Sequence, residues 1–263
     1  MSSHDVAVPN LGRNIGIPLD LDLVESLRVN RSAVERRTAT LPGRRTVKKQ
    51  WQAAWLLRAI TCMDLTTLSG DDTEGTVQRL CTKAKNPIRK DLVEALDIGD
   101  LNLKVGAVCV YHHFVPTAVK ALEGSAIPVA AVSTGFPHGL SPMAQKLEEI
   151  HASVEAGAQE IDIVISRHLV LQGDWHALFD EVRAYREACG EAHLKTILAT
   201  GELGTLRNVA KASMVCMMAG ADFIKTSTGK ESVNATLNFG LVMARMIREY
   251  KDLTGYRVGF KPA

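Results

Sequence analysis

From Thr61 onward one pattern recurs along the chain, and it leaves few folds open. A short apolar run ends in a polar residue, a loop follows, and a helical segment closes on a glycine. The apolar runs are Thr61–Leu65, Ala107–Tyr111, Ile127–Val132, Glu160–Ile165, Leu194–Ala199, Asp222–Thr226 and Tyr256–Lys261. Helical patterns fill the intervals, among them Pro142–Glu155 before Gly157, Trp175–Ala188 before Gly190 and Leu206–Met218 before Gly220. A glycine just past a helix takes the left-handed conformation without a Cβ penalty, so each of these marks a stop. Ser141 followed by Pro142 predicts a helix start, a capping hydroxyl with proline in the first turn. Strands alternating with helices at this spacing give a parallel sheet with right-handed crossovers. Seven such units, with no G-x-G-x-x-G opening the first, fit a (β/α)8 TIM barrel better than a doubly wound sheet.

Ahead of the repeating pattern, residues 1–43 are irregular and punctuated by Pro9, Gly12, Gly16, Pro18, Pro42 and Gly43. They read as an N-terminal extension with at most one short helix, around Asp22 to Arg28, and residues 44–263 read as the barrel domain. The basic stretch Arg44 to Lys49 opens an amphipathic helix through Trp51, Trp55, Leu56 and Ile60, with its charges on the solvated face.

Charge and cysteine usage narrow the partners. A formal net charge of +2 predicts no strong attraction to nucleic acid or membrane, so a small molecule is the expected partner. Cys62, Cys81, Cys109, Cys189 and Cys216 are scattered without a C-x-x-C pair and read as free thiols in a reducing compartment. No stretch reaches the run of apolar residues a membrane span needs. Met1 to Pro9 lacks the basic-then-apolar layout of a secretory signal. A cytoplasmic enzyme is the expectation.

The chemistry sits in charges placed on apolar strands. In a barrel, alternate strand residues point inward and the carboxyl ends carry the active site. In Glu160-Ile161-Asp162-Ile163-Val164-Ile165 the isoleucines share the face that packs on helices, which turns Asp162 inward. Lys195 has the parity of Ile197, Lys225 closes Asp222-Phe223-Ile224-Lys225, and Lys261 ends the last run. Burying one unpaired lysine is costly, because desolvation disfavours its charged form. Several lysines and an aspartate aimed into one mouth point instead to amine catalysis on a carbonyl compound. Neighbouring cations depress each other's pKa and free an amine to attack, while a carboxylate balances charge and moves protons. Directly after Lys225, the segment Ser227-Thr228-Gly229-Lys230 offers N–H groups, hydroxyls and a cation to an anion. No H-x-x-x-H pair or Cys/His cluster marks a zinc site, so no metal is assigned, and His112 and His113 read as surface or supporting residues. Gly201-Glu202-Leu203-Gly204 fits a catalytic loop or a helix-entry turn equally well, and Met214, Met217 and Met218 read as core.

At this point the residues resemble a known family. Phe223-Ile224-Lys225-Thr226-Ser227-Thr228-Gly229-Lys230 is similar to the signature of deoxyribose-phosphate aldolases, and Gly259-Phe260-Lys261-Pro262-Ala263 resembles their second lysine motif. Met63-Asp64-Leu65-Thr66-Thr67-Leu68, Ala107-Val108-Cys109-Val110-Tyr111 and Glu160-Ile161-Asp162 resemble the first, second and fourth strand motifs. The likeness runs from about Arg44 to Ala263, and the long leader places it with the eukaryotic branch. The resemblance implies a metal-free and cofactor-free Schiff-base lyase that splits 2-deoxy-D-ribose 5-phosphate into D-glyceraldehyde 3-phosphate and acetaldehyde, in deoxyribonucleoside catabolism. It implies that Lys225 forms the imine, that Asp162 and Lys261 relay protons through a water, that Lys261 helps keep Lys225 deprotonated, and that Lys195 orients Asp162. It implies too that Thr226, Gly229 and Lys230 lie along the phosphate side, and that Asp64, Thr66 and Cys109 line the pocket, in a possible homo-oligomer.

Family members continue past Lys-Pro-Ala with a glycine pair, an arginine, a seventh helix and an eighth strand. The expectation is therefore an aldolase truncated before the eighth strand of its barrel, with a catalytically inactive chain of the same family as the alternative. A transaldolase-like Schiff-base barrel is the alternative enzyme.

Overall fold

The computed structural model describes residues 12–44 and 47–263. The apolar runs become seven strands: β1 (Asp64–Thr66), β2 (Ala107–Tyr111), β3 (Val129–Ser133), β4 (Glu160–Val164), β5 (His193–Ile197), β6 (Phe223–Lys225) and β7 (Gly259–Lys261). They form one seven-stranded sheet in chain order, β1 through β7, and every neighbouring pair is parallel. With order in space equal to order in sequence, each crossover returns over the same face, which is how a barrel is wound. Among the described residues nothing pairs with the outer edges of β1 and β7. The sheet is nonetheless strongly curled, because Lys261 Nζ on β7 lies 2.6 Å from Asp64 Oδ1 on β1.

Alternation along the strands creates two apolar zones. Ile161, Ile163 and Ile165 belong to the large core beneath the helices, with Leu178, Val182 and Met214. Cys109, Ala130, Val132, Val164 and Ile197 make a smaller cluster of the opposite parity, inside the curl. Met214, Met217 and Met218 are fully buried, as core residues should be. The helices Trp175–Ala188 and Leu206–Met218 run as the spacing predicts, and Gly157 and Gly220 follow helices with φ of 101° and 106°.

Several expectations need correction. The capping role given to Ser141 does not hold: Pro142 occupies the cap position with extended backbone, and the helix Met143–Glu155 starts without a side-chain cap. The run Tyr256–Lys261 is strand only over its last residues. Tyr256 instead donates its hydroxyl to Asp222 Oδ1 at 3.1 Å. The leader carries the helices Leu21–Ser26 and Arg31–Ala39, capped by Asp20 and Asn30, and a third, a single turn, Leu41–Arg44, at its end. Val24 and Val34 are fully buried in the main core. Asn14, also buried, donates to the carbonyls of Met217 and Ala221 at 2.9 Å. A polar residue that satisfies the ends of a neighbouring helix leaves no periodic signal, which is why the leader looked irregular. The helix Lys49–Ile60 forms, yet buries none of its residues. Trp51, Trp55 and Leu56 are 68%, 65% and 60% exposed, because this helix precedes the edge strand β1 and nothing among the described residues covers its apolar side. Arg45, Thr46 and the stretch Met1–Pro9 lie outside the described residues.

One glycine has a packing reason that bears on the site. A Cβ on Gly259 would stand 2.1 Å from the Phe223 ring, so β7 can lie beside β6 only because Gly259 has no side chain. That ring in turn sits under Lys195 Nζ, 5.9 Å from the ring centroid. No helix among the described residues is long and apolar enough to cross a membrane.

Candidate active site

Strand register brings the charges together. β4 and β5 pair Asp162 with Lys195, and β6 and β7 pair Lys225 with Lys261. Inside the curl these residues and Asp64 share one parity and meet as a cluster. Lys225 donates from Nζ to Asp162 Oδ2 at 2.7 Å. Lys195 sits among three carboxylates, 2.9 Å from Asp64 Oδ2, 2.5 Å from Glu160 Oε2 and 3.3 Å from Asp162 Oδ1. Lys261 completes the ring through Asp64. Three ammonium groups (Lys195, Lys225, Lys261) face three carboxylates (Asp64, Glu160, Asp162), so the buried cluster is neutral as a whole. Neutrality is what makes burial of so many charges tolerable.

The electrostatics of each group follow from these contacts. Burial alone would lift the Asp162 carboxyl, but Lys195 and Lys225 outweigh it and hold the group at about 2, against an ordinary 3.8. Burial works to lower Lys225, yet Asp162 prevails and its ammonium is held above the usual lysine value. Lys195 likewise stays charged: burial opposes the charge, and Asp162, Glu160 and Asp64 override it. Glu160 is pushed up by burial, with Lys195 opposing. The Cys109 thiol is pushed up to about 12 by burial and then by Asp162, so it is a neutral wall residue and not a nucleophile. The expectation that neighbouring lysines free the Lys225 amine is therefore corrected. Among the described residues Lys261 pairs with Asp64, and the dominant neighbour of Lys225 is an anion.

Because the folded Asp162 value lies below its unfolded one, its contribution to stability is complete above about 4 and is lost as pH falls through about 2. Thermal melts between pH 5 and 2 should show a steep loss that is shallower in Asp162→Asn. Parallel curves for the two proteins would remove Asp162 as the origin.

The remaining candidates are placed less centrally. Thr66 is exposed at the β1 edge. The Thr226 hydroxyl accepts from the Ala263 N–H at 2.9 Å, so it is engaged with the C-terminal residue. Ser227–Lys230 does not lead straight into a helix: the next helix, Leu237–Thr254, starts after Thr236, and the loop is organised around the Glu231 carboxylate. Both Glu231 oxygens accept the Thr228 N–H, at 3.1 and 3.0 Å, and Oε2 also accepts the Thr228 hydroxyl at 2.7 Å. Gly229 keeps φ at +85°, with open space where a Cβ would lie, and Lys230 is exposed. Gly201-Glu202 belongs to the short turn Thr200–Glu202 ahead of the helix from Leu206. His112 Nδ1 lies 3.3 Å from Glu149, away from the cluster.

Sequence reasoning missed Glu160, Glu231 and Arg167. Glu160 could have been found, since it shares the parity of Asp162 on the same strand. Glu231 lies on a loop and Arg167 opens the short helix Arg167–Gln172, where too few residues repeat for a period to report direction. Cavity size is no guide either: a cavity of about 780 Å³ lies at the other end of the strands, around Arg13, Gln159 and His193. The clustered lysines are the better marker, because burying them has an electrostatic cost that a void does not.

The profile of the DeoC/LacD family aldolases matches residues 58–254. The chain belongs to the DeoC/LacD family of aldolases. This displaces the transaldolase-like alternative. The aldolase is 60% identical to human deoxyribose-phosphate aldolase, over 95% of this chain and 79% of the human protein. It is 61% identical to the mouse protein of that name, over 94% and 79%. Among solved structures it superposes on QR15, an aldolase, with a TM-score of 0.60 at 26% identity, covering 77% of this chain and 80% of that one. It also superposes on the deoxyribose phosphate aldolase of Aeropyrum pernix, described as tetrameric, with a TM-score of 0.59 at 24% identity and coverage of 73% and 74%. The last likeness speaks to the fold, and the curated relatives speak to the chemistry.

Proposed function

We propose that this aldolase reversibly cleaves 2-deoxy-D-ribose 5-phosphate through an imine on Lys225. One observation carries the residue assignment: Lys225, 5% exposed at the carboxyl end of β6, is paired with a fully buried aspartate. The Lys225 ammonium first gives a proton to its Asp162 partner, the neutral amine attacks C1 of the open-chain sugar, and the proton returns to the carbinolamine hydroxyl so that water leaves and a protonated imine remains. The C2–C3 bond then breaks, its electron pair passes into the iminium to form an enamine, and the C3 hydroxyl gives up its proton. D-glyceraldehyde 3-phosphate departs, C2 is reprotonated, and hydrolysis releases acetaldehyde and Lys225.

The cluster suits this sequence. An iminium carries its positive charge where the ammonium carried it, so the Asp162 carboxylate stabilises both states without rearrangement. Asp162 Oδ1 lies against Lys195 at 3.3 Å and Oδ2 against Lys225 at 2.7 Å, so the carboxylate stands where it can take a proton from the reacting amine and return it. Lys261, the register neighbour of Lys225, is the second proton carrier in this reading. Lys195 holds Asp162 and Asp64 in place. Cys109 and Thr66, neighbours in the β1–β2 register, line the aldehyde side. Thr226 fixes the turn, and Gly229 with Lys230 receives the phosphate. Residues 44–263 carry the chemistry, with residues 1–43 as an N-terminal extension whose helices Leu21–Ser26 and Arg31–Ala39 pack on them through Val24 and Val34. A cytoplasmic location and assembly into a homo-oligomer belong to the same reading.

Borohydride reduction in the presence of acetaldehyde, followed by peptide mapping, tests the assignment. The adduct is expected on Lys225, and modification of Lys195 or Lys261 instead would overturn it. Lys230→Ala should raise KM for the phosphorylated sugar about tenfold or more, and that for 2-deoxyribose far less, because an ammonium near a phosphate contributes binding the neutral sugar cannot use. Equal changes for both sugars would remove Lys230 from the phosphate site.

A further inference from the structure

Arg167, just beyond β4, makes no contact with the lysine–carboxylate cluster, yet it reaches the loops that follow three other strands. Its Nη2 donates to the Pro137 carbonyl at 2.9 Å and its Nη1 to the His138 carbonyl at 3.2 Å, both after β3. Its Nε lies 3.0 Å from Glu202 Oε2, after β5. Its Nη2 is also 3.5 Å from Glu231 Oε1, after β6. The Glu231 side chain is only 2% exposed and the Arg167 side chain 14%. A planar, permanently charged fork that serves two carboxylates and two carbonyls ties the start of the helix after β4 to the segments that follow β3, β5 and β6, at one rim of the sheet.

Glu231 is the reason the tie matters. Its carboxylate sits inside the turn and takes the N–H and hydroxyl of Thr228. The Thr228 hydroxyl in turn accepts the Lys230 N–H at 3.0 Å. The turn is thus wound about its own buried anion, with Gly229 and Lys230 left facing outward. A buried carboxylate without a cation either takes up a proton or moves to water. Arg167 is the cation in contact with Glu231.

We propose that Arg167 and Glu231 are positioning residues for the phosphate end of the substrate. Together they fix the Thr228–Glu231 turn in one conformation, so that Gly229 and Lys230 meet the phosphate without first being ordered. A pre-organised loop binds more tightly because that ordering is already done. This rests on the assignment of the loop to phosphate in the proposed function.

The test compares kcat and KM of the full chain for 2-deoxyribose 5-phosphate and for 2-deoxyribose, and reads the ratio of the two kcat/KM values. Arg167→Met should lower this preference about tenfold, mainly through KM of the phosphorylated sugar. Arg167→Lys, which keeps a charge but not the fork, should recover part of it. Glu231→Gln, which keeps an oxygen for Thr228 but loses the ion pair, should lower the ratio as well. The double variant Arg167→Met with Glu231→Gln should be no worse than Arg167→Met, because the two act as one device. Equal losses for both sugars would mean a merely structural role and overturn the proposal. If Arg167→Met does not fold, Glu231→Gln decides: a ratio within about twofold of the parent overturns it. Lys230→Ala, run alongside, separates the two levels. A ratio moved by Lys230→Ala but by neither Arg167→Met nor Glu231→Gln leaves the loop assignment standing without the clasp. A ratio unmoved by all three overturns both.

Discussion

Lys225→Arg will lower turnover of 2-deoxyribose 5-phosphate by at least about four orders of magnitude, the scale expected when the covalent nucleophile of a working active site is removed. A guanidinium remains protonated at any pH the protein survives and cannot form an imine. The substitution is also the sharpest available, because it keeps the charge. Lys225 sits on Asp162 within a cluster of three cations and three carboxylates, and arginine preserves that balance. Loss of activity with an unchanged melting temperature would therefore be a loss of chemistry and not of fold. Borohydride with acetaldehyde should leave no adduct on the peptide that carries position 225. Turnover above about one per cent of the parent would show that another amine forms the imine, and Lys261, its partner in the β6–β7 register, would be the first to examine.

The parts of the molecule that were legible in the sequence are those with a period. Asp162 could be turned inward because Ile161, Ile163 and Ile165 fix the opposite face, and the structure keeps all three in the core beneath the helices. Lys195 shares the parity of Ile197, but parity alone does not say which face that is; the structure puts Ile197 in the inner cluster, opposite to the isoleucines of β4. The state of Lys225 was not legible. A sequence counts lysines near one another but does not say which carboxylate stands between them, and Asp162 at 2.7 Å reverses the sign of the shift that neighbouring cations alone would give. The loop after β6 shows the same limit. Ser227-Thr228-Gly229-Lys230 reads as a set of free donors, but Glu231, three residues past Thr228, already takes two of them. Burial of the Lys49–Ile60 helix could not be read either, since amphipathic spacing says which face is apolar and not whether anything covers it.

Asp162→Asn is expected to separate two steps that a simple activity assay merges. Turnover should fall at least about a hundredfold, the usual scale for a positioned acid–base group. The amide cannot take the proton that the carboxylate takes at the bond-breaking step. Imine formation should respond in the opposite sense. With Asp162 neutralised, the cluster holds three cations and two carboxylates, an excess of one positive charge by subtraction. Lys225 loses the anion that raises its pKa and keeps the repulsion from Lys195, so its free-amine fraction at neutral pH increases. The pH at which acetaldehyde is half-maximally trapped by borohydride should therefore move down relative to the parent, even as turnover collapses. Lys195 retains Asp64 at 2.9 Å and Glu160 at 2.5 Å, so the substitution leaves no buried lysine wholly without a counter-charge except Lys225 itself, which is free to deprotonate. Trapping that weakens in step with turnover, at an unshifted pH, would mean that Asp162 serves the imine rather than the carbon–carbon bond. Turnover close to that of the parent would remove it from the mechanism.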